Sequence, residues 1–398
     1  MNIVFIYPDI SGYSPLYKGM YYSGVAYLSA MLKQEKKFNI YFLHLTKPIG
    51  KDELLSKIKE FKPHLVAFSS TSNMFHYVKI WAKWIKNNYK DAKIICGGVH
   101  ATIAPEDVIK EPSIDILCRG EGENSLVELC NKLNDSKDFS NIKGLWVKNN
   151  GRVYRNRLQN LIEDLNSLPF PDRSIFGYGN LHFEREGRFT VVVSRGCPYN
   201  CSYCCNGILR EICSNGNKFV RFRSVDNTIR ELRQIIDNYA NVKSFSFDDD
   251  ILPLDRIWFS DFSSRYKDEI GLPYSCNLRP NLVIEGVVDL LKYSGCNEIR
   301  MGIESGNDFI RNTILSRNIS KDQLVKAFKL CKEAGLRIFS FNMLGLPHED
   351  LPKMLETVKI NAILKTDINL ATIFYPYENT PLYNLCCSEG LINITKEV

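Results

Sequence analysis

No stretch of the 398 residues is apolar for long enough to cross a membrane. Nothing at the amino end resembles a secretion signal. Met1 leads at once into the short apolar run Ile3-Val4-Phe5-Ile6-Tyr7, with no basic stretch before it and no cleavage site after. These two absences lead to the expectation of a cytoplasmic protein without a membrane span. A concentrated basic face is missing as well. The net charge is only +6 and Lys and Arg are scattered, so no nucleic-acid partner is expected. The one short basic cluster, Lys218, Arg221 and Arg223, reads as solvated surface charge. Low-complexity segments and repeats beyond a strand–helix rhythm are absent. Histidine is scarce, with six in the chain, and none of them has Asp two residues before it.

What the chain does contain is an ordinary share of hydrophobic residues, 44%, enough for real cores. It also has 13 cysteines, an odd number. In a reducing compartment these are thiols, metal ligands or catalysts rather than disulfides. Most of them, such as Cys276 and Cys331, sit in apolar patterns and are expected to be small core residues.

Short apolar runs at 2–7, 39–45, 64–69, 93–96 and 114–118 predict strands, with amphipathic helices between them at 21–33, 51–60, 75–87 and 123–133. Five strands alternating with helices imply a doubly wound, Rossmann-like parallel sheet covered on both faces. Such sheets bind ligands at the carboxyl ends of their strands. That rule selects Ser69-Ser70-Thr71, Gly97-Gly98-Val99-His100 and Arg119-Gly120-Glu121 as a rim. Asn149-Asn150-Gly151 marks a hairpin turn. The Pro-containing stretch 164–172 reads as an interdomain linker. From Phe189 a second alternation begins, with strands at 189–195, 242–247, 273–279, 298–304, 337–344 and 368–375. Six such units imply a partial (β/α)6 barrel with chemistry at the carboxyl ends of its strands. The expected organisation is therefore a first domain over 1–140, a hairpin and linker over 141–184, and a partial barrel over 185–398.

The strongest chemical signal is Ser194-Arg-Gly-Cys-Pro-Tyr-Asn-Cys-Ser-Tyr-Cys204, directly after the first barrel strand. Thiolates are the ligands of iron–sulfur clusters, and a compact loop can wrap one. Cys197, Cys201 and Cys204 would hold three irons of four and leave one open. Zinc normally takes four protein ligands, and Cys205, adjacent to Cys204, is badly placed to complete a tetrahedron with the same three.

This C-x3-C-x2-C pattern, with Tyr203 before the last cysteine, resembles the radical S-adenosylmethionine superfamily, and the resemblance covers the second domain. It implies a [4Fe-4S] cluster on Cys197, Cys201 and Cys204 and S-adenosylmethionine as cofactor. The cluster-bearing enzyme cleaves that cofactor reductively to a 5′-deoxyadenosyl radical, drawing electrons from a donor such as flavodoxin or ferredoxin. Other motifs fall in the family's order. Phe247-Asp-Asp-Asp250 places Asp248 and Asp249 where the amino group is bound. Met301-Gly-Ile-Glu-Ser-Gly306 places Glu304 and Ser305 on the ribose side. Arg317 matches a position that meets the methionyl carboxylate, and Gly345 marks the adenine-side turn.

The first domain resembles the cobalamin-binding domain of one large subfamily. The resemblance rests on Gly24-Val-Ala-Tyr-Leu-Ser-Ala-Met-Leu32, Cys96-Gly-Gly-Val-His-Ala-Thr102, Arg119-Gly-Glu-Gly-Glu123 and Leu168-Pro-Phe-Pro171. It implies cobalamin on the rim. Gly97 and Gly98 would allow close backbone approach, Ser69, Ser70 and Thr71 would bond amide arms, and His100 lies nearby. The D-x-H-x-x-G motif that supplies a histidine to cobalt is missing, so no histidine ligand of that kind is expected. The implied activity is a cobalamin-dependent methyltransferase acting on an unactivated carbon or phosphorus of a small-molecule biosynthetic intermediate. The alternatives are a radical cyclase or rearrangement enzyme and a non-catalytic iron–sulfur protein.

Overall fold

Runs of consecutive buried residues, such as Leu65-Val-Ala-Phe-Ser69, suit strands covered on both faces, and the computed structural model builds its first sheet from them. The structure describes residues 1–10, 17–177, 181–214 and 216–392. The expected spans that reach 178–180 and 393–398 extend there outside the described residues. The first sheet contains β1 (Asn2–Pro8), β2 (Asn39–Leu45), β3 (Leu65–Ser69), β4 (Lys93–Gly97), β5 (Ile116–Cys118), β6 (Leu145–Asn149) and β7 (Arg152–Arg155). Their order is β2-β1-β3-β4-β5-β6-β7. The first five are parallel. The hairpin β6–β7 joins the same sheet antiparallel instead of standing apart. Alternate residues of β1 feed opposite cores: Val4 and Ile6 lie in the one that holds Trp81, and Ile3 and Phe5 in the one that holds Leu129. Strand order reverses around β1 and β3, which opens the ligand crevice of a doubly wound fold at their carboxyl ends.

The second sheet holds β8 (Arg188–Val191), β11 (Ser244–Phe247), β12 (Tyr274–Leu278), β13 (Cys296–Glu304), β14 (Arg337–Leu344) and β15 (Ile368–Ile373). They are neighbours in that order and all parallel, with β8 and β15 as open edges. Phe245, Phe247, Tyr274, Cys276, Ile299, Met301 and Ile338 point into one core beneath the covering helices, with Cys331 among them. Because strand side chains alternate, Ser246, Asn277 and Arg300 face the opposite side, the lumen of the half-barrel. The expected strand over 189–195 is broken. Its last two residues, β9 (Ser194–Arg195), leave the sheet and pair antiparallel with β10 (Arg221–Phe222).

One expectation is corrected here. Arg221 and Arg223 are not solvated: they are 5% and 3% exposed. Arg223 pairs with Glu231, which also receives Arg173 at 3.1 Å. The stretch 164–172, expected as an interdomain linker, is packed against the first unit. Leu165 and Leu168 pack with Tyr27, and the Asp172 carboxylate accepts from Ser29 Oγ at 2.6 Å and pairs with Lys33 at 2.7 Å. Cys205–Cys213, Arg256–Glu269 and Leu351–Leu364 are helices as well, and cysteines and Gly207 blur the period of the first. Among the described residues no helix is long and apolar enough to cross a membrane.

Candidate active site

The three motif cysteines lie on one loop between β9 and the helix Cys205–Cys213. Ser202 pins its middle: the Ser202 N–H donates to Leu315 O at 3.1 Å and its hydroxyl to Ile314 O at 2.5 Å. Cys201 is buried, while Cys197 and Cys204 are half-buried. Burial pushes the Cys197 thiol up to about 11, and its hydrogen bond to Cys205, together with burial, lifts the Cys204 thiol. A bound cation reverses that direction, because it stabilises the thiolate. Among the described residues no three His, Cys, Asp or Glu side chains converge to hold a single metal ion. One zinc ion would draw thiolates to about 2.3 Å each. A four-iron cluster instead takes each thiolate on a separate iron, and the three thiolates of this loop have the chemistry to hold one.

Above the loop, three of the sequence-selected residues meet. Tyr203 donates its hydroxyl to Glu304 Oε1 at 2.9 Å, and Arg317 reaches both the Tyr203 oxygen, at 2.9 Å, and Glu304, at 3.4 Å. Local backbone explains the convergence. Register slips between Gly302 and Glu304 where β13 pairs with β14, and Glu304 takes φ +66. A bulge re-aims the side chain that follows it, and left-handed backbone in a non-glycine residue costs of order 1–3 kcal/mol, typically at functional sites. The carboxylate folds back over Gly302, where a Cβ would collide with it. Burial holds the Glu304 carboxyl above its usual range against the pull of Arg317 and Tyr203. Ser305, fully buried, is fixed through its carbonyl by Arg311 at 2.9 Å. Gly345 needs its freedom for φ +77 alone, since a Cβ there meets only Ile373 at 3.9 Å.

The two aspartates diverge. Asp248 faces the lumen and pairs with Arg300 at 2.9 Å. Asp249 is buried, and its Oδ1 accepts from the Val193 N–H at 3.0 Å and from the Ser194 N–H and hydroxyl at 2.5 Å each. Asp249 therefore joins the ends of β8 and β11, and burial pushes its carboxyl up to about 7. Asp249 Oδ2, Asn277 Oδ1, Arg300 Nε and Arg317 Nε are buried without a hydrogen-bond partner. Orphaned polar atoms are costly, and four at one barrel mouth fit a polar ligand carrying both charges.

The first sheet's rim forms the other wall. A cavity of about 470 Å³ lies between the two units. Ser69, Gly97, Gly98, Gly120 and Gly122 line it from the first, and Ser194, Arg195, Gly196 and Asp250 from the second. Its surface is mostly apolar, and among the described residues no histidine lines it. The glycines let backbone approach a ligand closely, and Tyr22, Tyr27, Leu28 and Phe68 supply apolar surface around them, which suits a large flat macrocycle. Gly98 has a second reason to be glycine: φ +95, with the Ser70 backbone where its Cβ would lie. Ser70 and Thr71 turn elsewhere, donating to Thr71 O at 2.8 Å and Asn73 Oδ1 at 2.7 Å. His100 sits behind the rim, buried on Phe75, with its ring nitrogens on Ser72 at 3.0 Å and Asp107 at 3.2 Å. Glu378 of the second unit lies 3.7 Å from its Nδ1, so His100 sits where the two units meet, and it is not among the residues lining the cavity.

Sequence reasoning missed the clamp across this cavity. The β9–β10 register sets Arg195 opposite Arg221. Like charges so placed repel, and Glu121 of the first unit enters between them. Arg195 donates to Glu121 at 2.9 Å and to Glu123 at 2.6 Å, while Arg221 donates to both oxygens of Glu121 at 2.8 and 3.1 Å. Burial works to raise the Glu121 carboxyl, yet Arg221 and Arg195 hold it below the usual range. A signal was available: one motif carries two acids and the other an arginine.

Comparison with known proteins agrees with this layout. The family model for the Radical SAM superfamily matches residues 191–360, and that for the B12 binding domain matches residues 18–130. An uncharacterised methyltransferase of Pyrococcus horikoshii is 29% identical over 93% of this chain and 79% of its own length. The anaerobic magnesium-protoporphyrin IX monomethyl ester cyclase of Cereibacter sphaeroides is 25% identical over 96% of this chain, which spans only 63% of that protein. The fold matches the radical S-adenosylmethionine methyltransferase TsrM from Kitasatospora setae, solved with cobalamin and a [4Fe-4S] cluster bound. That match has a TM-score of 0.74 at 15% identity, over 98% of this chain and 78% of that one.

Proposed function

Since the chain belongs to the radical SAM superfamily and carries a B12 binding domain ahead of its radical SAM domain, we propose that it is a cobalamin-dependent methyltransferase. Its substrate is a small-molecule biosynthetic intermediate with an unactivated carbon or phosphorus as acceptor. The observation that carries this reading is the shared cavity, whose walls are the first unit's rim and the Ser194-Arg195-Gly196 segment leading into Cys197. When bound, the cluster supplies the electron that cleaves S-adenosylmethionine, and cobalamin supplies a carrier for the methyl group. Cys197, Cys201 and Cys204 hold the cluster. Tyr203, Glu304 and Arg317 orient the nucleoside and carboxylate of S-adenosylmethionine, and Asp248 offers its charge to the amino group. Ser69, Gly97 and Gly98 support cobalamin from the rim, without a histidine. A flavodoxin- or ferredoxin-class protein delivers electrons, and the enzyme works in the cytoplasm without nucleic acid.

Product stoichiometry tests the reaction. Methyl transfer consumes two molecules of S-adenosylmethionine and yields S-adenosylhomocysteine and 5′-deoxyadenosine in equal amounts. A cyclase or rearrangement enzyme, the reading favoured by the protoporphyrin-ester relative, yields 5′-deoxyadenosine without matching S-adenosylhomocysteine. That second result, from cobalamin-loaded enzyme with reductant and substrate, would defeat methyl transfer and leave the cofactors standing.

Arg317→Ala tests the cofactor pocket. A charge-assisted hydrogen bond contributes about 1.5–3 kcal/mol, so the Kd for S-adenosylmethionine should rise roughly 10–100-fold. Binding unchanged in equilibrium dialysis would remove Arg317 from the pocket.

A further inference from the structure

Arg279 is used by none of the motifs, yet it is a buried cation whose side chain reaches a motif cysteine. It follows β12 directly and is 7% exposed. Its Nη1 donates to Cys201 Sγ at 3.3 Å, its Nε to Asn281 Oδ1 at 2.8 Å, and its Nη2 to Arg317 O. The guanidinium lies over the Tyr199 ring, 3.7 Å from its centroid. Tyr199 belongs to the cluster loop, and its hydroxyl accepts from Asn281 Nδ2 at 3.0 Å. All three nitrogens are thus engaged and one face is stacked, so the side chain is held in a single orientation.

We propose that Arg279 is a positioning residue that sets the reduction potential of the cluster through its hydrogen bond to the Cys201 sulfur. This rests on the reading of Cys201 as a cluster ligand. Reduction takes the cluster from [4Fe-4S]2+ to [4Fe-4S]+ with one electron from an external low-potential reductant, and it makes the core and its thiolate ligands together more negative by one charge. A buried positive charge at a ligand sulfur favours the more negative state, and hydrogen bonds to cluster sulfurs are a known lever on potential. Arg279 therefore makes the cluster easier to reduce. Because the same guanidinium holds the Arg317 carbonyl, it also fixes the cluster loop against the Tyr203–Glu304–Arg317 group.

The test is an anaerobic potentiometric titration of the reconstituted full chain, followed by electron paramagnetic resonance, with iron and sulfide analysed in parallel. Arg279→Gln should keep four irons and shift the midpoint to more negative potential, and Arg279→Lys, which keeps the charge, should shift it less. Asn281→Ala, which frees Arg279 Nε and the Tyr199 hydroxyl but keeps the guanidinium, should give a small shift of the same sign. If Arg279→Gln fails to assemble a cluster, the Asn281→Ala midpoint decides. A full cluster with an unmoved midpoint in Arg279→Gln, or in Asn281→Ala where that variant decides, overturns the proposal. Failure of the unaltered chain to take up four irons would instead overturn the ligand reading.

Discussion

Cys201→Ala is expected to abolish cleavage of S-adenosylmethionine, with 5′-deoxyadenosine formation falling by more than about 100-fold. Loss of an outer-shell partner typically costs 10–100-fold, and a direct ligand should cost more. Cys197→Ala and Cys204→Ala should behave alike, because a loop with three thiolates has none to spare. Cys205→Ala should keep its cluster, although Cys205 touches Cys204: it begins the helix Cys205–Cys213 and is set by that helix. Iron and sulfide content after anaerobic reconstitution reads this directly. A full four-iron cluster in Cys201→Ala, with loss in Cys205→Ala, would reverse the assignment.

The second large effect belongs to the clamp. Glu121→Ala leaves Arg221, 5% exposed, and Arg195, with its side chain 21% exposed, short of their shared partner. Removing one member of a buried ion pair costs about 3–5 kcal/mol, mostly through the uncompensated charge left behind. The expected result is a large fall in denaturant midpoint, together with weaker cobalamin retention, because Glu121 and Arg195 both line the cavity. The surface pair Arg155–Glu106 provides the control, with both side chains about half exposed. Glu106→Ala should cost no more than about 1 kcal/mol. If both variants melt alike, the clamp has no special weight.

Both effects depend on residues that differed in legibility. The cysteine loop could be read because its ligands lie within eight residues and follow a strand. Most strand positions could be read because buried parallel strands are continuous apolar runs. The helix Leu351–Leu364 was harder. It buries only Thr357, Ile360, Asn361 and Leu364, and Leu351, Leu355 and Val358 remain exposed, so apolar residues ring it and its period is lost. The segment 189–195 looked like one strand because composition does not reveal where a chain leaves its sheet. Arg221 pairs with Glu121, 100 residues away, which no local pattern shows; Arg223 pairs with Glu231 only eight residues on, and there it is the burial that tertiary packing decides.

By itself the sequence determined the two parallel α/β units, the thiolate loop at the end of the first barrel strand and the glycine-rich rim. These follow from periodicity and from spacing within short segments, where covalent geometry keeps neighbours close. Tertiary structure alone decided which selected residues act together. It joined Tyr203, Glu304 and Arg317, set Asp249 to bracing strand ends, placed His100 off the cavity wall and brought Arg279 to Cys201. It also turned the two rims into one cavity, closed by Glu121 between two arginines. Such contacts are fixed by packing and charge compensation between segments tens to hundreds of residues apart, and no local pattern encodes that distance.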